Sequence, residues 1–134
     1  MSKIDRIEIS FIPHEQQRYS TCGDWYFEQS KTENVLVIKV SKMDDFRSAL
    51  AVALHEFAEV IMCDAVGITQ EQVDKFDMTY EKLRAKDDES EPGDHASAPY
   101  FVQHGHATAI ERIVTTQMGL PWPDHEENIG KLFE

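Results

Sequence analysis

Basic residues are scarce in this chain of 134 residues: 13 Lys and Arg stand against 25 Asp and Glu, a formal net charge of −12. Proteins that track phosphate backbones draw their affinity from Lys and Arg, so this balance excludes a nucleic-acid binder. It also disfavours an anionic membrane surface. Cysteine is nearly lacking. Cys22 and Cys63 share no close spacing and form neither a zinc-type CxxC pair nor a disulfide framework; two reduced thiols are expected. No apolar run reaches the roughly 18 residues of a membrane span, and Met1-Ser2-Lys3-Ile4-Asp5 leads into no signal-peptide core. A cytoplasmic protein is therefore expected. Repeats, linkers and low-complexity tracts are absent as well. What is present is an apolar fraction of 41%, enough for a folded domain, and six histidines among many carboxylates.

The length fits a single domain over 1–134. Its first part, 1–42, reads as strands. Arg6 to Ile12 alternates polar and apolar residues and stops at Pro13, Trp25-Tyr26-Phe27 follows Gly23, and Val35 to Val40 is a more buried run of β-branched residues. Short connections suggest a small, mostly antiparallel sheet. The second part, 43–119, reads as three main helices. The first runs from about Asp45 to Val66 and closes at Gly67; the second is capped by Thr69 with Gln72 at the capping-box position; the third runs from about Phe101 to Met118 and ends at Gly119. Between the last two lies an acidic loop, Asp87 to Ala98, expected to be solvated or wrapped over a site. The third part, 120–134, is a turn followed by a short helix. The fold class is α+β, a three-stranded sheet with a helical layer packed on it.

The first helix carries the chemistry. Twelve of the fifteen residues from Ala49 to Cys63 are apolar, and the other three are His55, Glu56 and Glu59. A helix apolar on nearly every side is expected to be buried on nearly every side. His55 and Glu59, four apart, lie on one face, while Glu56 points about a quarter turn away. An unpartnered carboxylate in such surroundings costs several kcal/mol or stays protonated. A metal cation would compensate.

The run His55-Glu56-Phe57-Ala58-Glu59 resembles the HExxH helix of the zincin metallohydrolases, with Glu59 in place of the second His. The resemblance implies Zn²⁺ held by residues 55 and 59, with Glu56 as general base. The carboxylate at 59 weakens the ion as a Lewis acid and admits Mn²⁺ or another divalent ion. A wider set of residues resembles a family of small phage and prophage proteins. It comprises Gln17-Arg18-Tyr19, Thr21, Gly23-Asp24-Trp25, Leu54-His55-Glu56, Glu59, Phe76-Asp77, Glu91-Pro92-Gly93-Asp94 and Pro99-Tyr100. This likeness covers most of the chain and implies a zincin-like site but no substrate.

A third ligand must come from another element. His104 is favoured, sharing a narrow helical face with Thr108, Glu111 and Thr115. His106 falls among Val102, Ile110 and Ile113, where a core role is expected, and His95 lies in the acidic loop. Glu111 could orient a ligand, join the coordination, or pair with Arg112 or Arg84. His14 and His125, near prolines, are expected to be exposed and inert. Three functions follow. The first is a metal-dependent hydrolase of an amide or peptide-like bond. The second is a non-enzymatic binding or host-modulating protein on a degenerate zincin scaffold. The third rests on Glu56-x-x-Glu59 followed by Asp74-x-x-Asp77, which is similar to the acidic motifs of all-α nucleotide pyrophosphohydrolases and would use Mg²⁺.

Overall fold

A computed structural model of the protein describes residues 1–88 and 90–134. The three strands form as β1 (Arg6–Ile12), β2 (Gly23–Gln29) and β3 (Asn34–Ser41). Their order is β1-β3-β2, with β1 parallel and β2 antiparallel to β3. The sheet is thus mixed rather than mostly antiparallel. The reason lies in β3, whose residues Val35 to Ile38 and Val40 are all buried, so both side-chain parities are apolar. Such a strand belongs at the centre. The chain between β1 and β2 therefore crosses to the far side of β3, and only β2 and β3 form a hairpin, where Ser30 N–H bonds Glu33 C=O.

Helix α1 (Phe46–Ala65) starts where the Asp45 side chain accepts from Arg47 N–H and ends before Gly67, which adopts φ +82°. Helix α2 (Gln70–Leu83) carries the expected Thr69–Gln72 capping box. Helix α3 (Phe101–Gln117) is followed by Gly119 at φ +72°. Helix α4 (Trp122–Gly130) forms fully, with Pro121 and Pro123 at its start, where their missing N–H groups cost nothing. Among the described residues the helical layer thus has four α-helices, and Ile129 of α4 packs against the core. No helix of the described residues is long and apolar enough to cross a membrane.

The core joins one sheet face (Leu36, Ile38, Val40) to Val52, Val60 and Cys63 of α1, with Val73 and Tyr100 beyond them. Cys22 and Cys63 are free and buried. Burial of α1 is less complete than its composition suggests: Phe46, Leu50 and Leu54 are 57%, 37% and 42% exposed. On β1, Ile7 and Ile9 are exposed as well. Helix α1 lies over β2 and β3 and leaves the β1 side open.

Candidate metal centre

Helices α1 and α3 lie side by side, and their facing polar residues are His55, Glu56, Glu59, His104 and Glu111, all buried. Glu59 Oε2 lies 3.2 Å from His55 Nε2 and 3.0 Å from His104 Nδ1. One donor atom from each of these three residues falls within 4.8 Å of the other two. A tetrahedral site with bonds of 2.0–2.1 Å separates its donors by roughly 3.3–3.4 Å, so the spacing fits a small divalent ion. The structure brings His55, Glu59 and His104, the three candidate ligands, together in one buried cluster.

Glu59 and His104 also have their remaining polar atoms hydrogen-bonded, and that of His55 lies near a carboxylate. Trp25 on β2 donates its indole N–H to Glu59 Oε1 at 3.1 Å, turning Oε2 toward the histidines. His104 Nε2 lies 3.1 Å from both Asp94 Oδ1 and Glu91 Oε2. His55 Nδ1 lies 2.8 Å from Glu111 Oε1, an ion-pair distance, although the ring N–H is not aligned on the oxygen. The other Glu111 oxygen accepts from His125 Nε2, and His125 Nδ1 meets the Ser48 hydroxyl, which also accepts from Asn128. Histidine ligands in metal sites characteristically donate their second N–H to a carboxylate, as His104 does toward Asp94.

The buried Glu59 carboxylate and the two imidazoles compensate one another. Burial alone would raise the Glu59 pKa, yet hydrogen bonds from His104 and His55 hold it down at about 2. Burial works against charge on both imidazoles, but Glu111 and Glu59 hold His55, and Asp94, Glu59 and Glu91 hold His104, well above the ordinary histidine value. Glu56 makes no such bond: burial and the Glu59 charge push it well above the carboxylate range. Its side chain packs against the backbone of Gly23, where an added Cβ would lie 2.7 Å from Oε1. A Cβ at Gly93 would lie 2.4 Å from the His104 ring. Glycine at 23 and 93 lets β2 and the acidic loop close on the site.

Several sequence expectations change. His125 is fully buried rather than exposed and inert, because α4 brings it against Glu111. Glu111 serves two histidines, not Arg112 or Arg84: Arg112 stacks over Trp122 and Arg84 bonds Glu81. His106 points to solvent instead of into the core, since the face of α3 turned toward α1 is the His104–Glu111 line. His95 is exposed and bonds Ser97. His14 is half-buried on the Ser41 hydroxyl. Glu91 and Asp94 are not merely solvated charges, since both reach His104.

The carboxylates Glu56, Glu59, Asp74 and Asp77 do line one cavity, but two are already engaged. Arg18 bridges Asp24 and Asp74. Asp77 accepts from the hydroxyls of Tyr19 and Tyr100, and burial pushes it up to about 7 against those bonds. Trp25 and Tyr100 escaped the sequence reading as site residues, since aromatics in a strand or at a helix start look like core. Comparison with protein-family models, curated proteins and solved structures gives no match for this chain.

Proposed function

We propose that the protein binds one divalent ion through His55, Glu59 and His104 and hydrolyses an amide or peptide-like bond, with Glu56 as general base, in the manner of a zincin. The observation that carries the reading is the cluster of three buried donors, with Trp25 bonded to Glu59, Asp94 to His104, and the Glu111 carboxylate beside His55. Zn²⁺ suits the two imidazoles and the close spacing; the carboxylate makes Mn²⁺ the second choice. Bound there, the ion would polarise a carbonyl and make water acidic. Glu56, on the next helical position and without a hydrogen-bond partner among the described residues, would take a proton from that water once the ion's charge had lowered its raised pKa, and pass it to the departing nitrogen. The Glu59 charge tempers the ion, while Asp94 and Glu91 hold the His104 ring in place.

A second reading has an observation of its own. The cavity beside the cluster measures about 50 Å³, room for an ion and a few waters but not for a substrate chain. Under that reading the ion is structural and the protein a non-enzymatic binding module. Hydrolysis requires the segment around Glu91–Asp94 to open.

The test is a pair of measurements on chelator-free protein. Elemental analysis should find a divalent ion near unit stoichiometry. Glu56→Gln should keep the ion while abolishing cleavage of a peptide library by the wild type. Absence of ion uptake from Zn²⁺ or Mn²⁺ would overturn both readings; uptake without any cleavage would leave the structural one.

A further inference from the structure

The β1 edge of the sheet stands apart from the metal centre, and nothing in the proposed function uses it. Strand β2, the other edge, is covered: Phe27 N–H donates to the Gln70 side chain of α2. Along β1 the partner is β3 alone among the elements that pack closely on it. Ile12 C=O accepts from Lys42 N–H with Ile12 opposite Ser41. In a parallel ladder this directs the backbone of the even-numbered residues at β3 and that of Ile7, Ile9 and Phe11 outward. A strand edge that is both unpaired and apolar is a template for another strand.

The side chains of Ile7, Ile9 and Phe11 share the sheet face of their partners Leu36, Ile38 and Val40. Helix α1 also exposes Phe46, Leu50 and Leu54 at helical spacing. Phe11 and Phe46 meet edge to face at 5.0 Å. From there each four-residue step along the helix advances about 6 Å, close to the ~6.6 Å of a two-residue step along the strand. The apolar residues of β1 and α1 thus meet at Phe11 and Phe46.

We infer that this edge pairs with a second copy of the chain, β1 against β1 and antiparallel, about a two-fold axis through Ile9. Pairing the outward backbone groups of both copies requires odd residues opposite odd ones, which leaves three registers near the strand centre. An axis at Glu8 sets two Glu8 carboxylates face to face, which is destabilising. An axis at Ser10 brings Pro13, with no N–H to give, opposite Ile7. An axis at Ile9 puts Ile9 on Ile9, Ile7 on Phe11 and Glu8 on Ser10, while Arg6 keeps Glu8 and Glu33 as its own partners. Ile7, Ile9 and Phe11 all face one another in that register only. The surface is isologous, as a closed dimer requires.

Sedimentation equilibrium of the full chain over a concentration series tests this. The mass should rise toward twice the chain's 15.4 kDa. Ile9→Lys, which sets two like charges on the axis, should weaken association more than tenfold with circular dichroism unchanged. If that variant unfolds, cysteine placement decides: oxidised Ile9→Cys should crosslink to a dimer, while Ile7→Cys, facing Phe11, should not. The native thiols are buried and take no part. A wild type that stays at the chain mass at millimolar concentration overturns the inference, as does a dimer that survives in folded Ile9→Lys. Capture of an extended peptide by a monomer at this edge overturns it too.

Discussion

His104 Nδ1 lies 3.0 Å from Glu59 Oε2, although 45 residues separate the two in the chain. Helices α1 and α3 pack so that this contact and the His55–Glu59 contact share one oxygen. One buried oxygen thus faces two imidazoles, and the three groups together could hold a metal ion.

Loss of His104 should therefore weaken ion binding more than loss of any residue outside the cluster. His104→Ala is expected to reduce Zn²⁺ affinity more than about 100-fold, since two protein donors remain. Competition with a chromogenic chelator reads the change directly. Equal affinity in wild type and variant would exclude His104 as a ligand.

Glu111 acts through His55. Glu111→Gln keeps the shape but removes the charge, and affinity should drop about 10–100-fold, the range for partners of metal-bound histidines. The protein should remain folded. An unchanged dissociation constant would show that Glu111 serves only His125.

His125 is a stability residue with a reach into the site. It fills a fully buried place and meets Ser48 and Glu111. His125→Ala leaves a cavity and an unpaired carboxylate, costing on the order of 3 kcal/mol. Urea denaturation of ion-free protein measures it; a cost under about 0.5 kcal/mol would contradict the packing.

Gly93→Ala tests closure of the acidic loop. The new methyl would overlap the His104 ring, and displacement of the loop should cost roughly 1–3 kcal/mol and release Asp94 and Glu91 from His104. Amide exchange at 91–95 should rise several-fold relative to wild type. Unaltered exchange would mean that the loop closes without touching His104.

Asp77 gives a pH dependence of definite sign. Its pKa rises from 3.8 to about 7 because burial outweighs the hydrogen bonds from Tyr100 and Tyr19. Between those values the folded chain binds more protons at this site than the unfolded chain, so stability falls as pH rises through the window. Asp77→Asn removes this group's contribution. The loss of Tm from pH 5 to pH 8 should be smaller in the variant than in wild type; an equal or larger loss would contradict the assignment.

Much of the local structure was legible in the chain. The Thr69–Gln72 capping box, Gly67 and Gly119 after their helices, and the alternation of β1 are short-range signals carried by neighbouring residues. His55, Glu59 and His104 stood out for a related reason. A helix otherwise apolar has few polar residues to choose from, and helical period says which share a face.

The parallel pairing of β1, the burial of His125 and the outward turn of His106 were not legible. Each depends on which element packs against which, and no local rule encodes that. His125 follows two prolines in a short segment that reads as surface, yet α4 docks so that it reaches Glu111.

Sequence alone determined most elements and their ends, and put His55 and Glu59 on one helical face with His104 as the favoured third candidate, because backbone preferences and helical periodicity act over a few residues. Tertiary structure alone decided the rest. It set two histidines on one Glu59 oxygen, drew Trp25, Asp94 and Glu111 behind them, and left the β1 edge uncovered. These are contacts between distant segments, and they come from filling one core with one sheet and four helices.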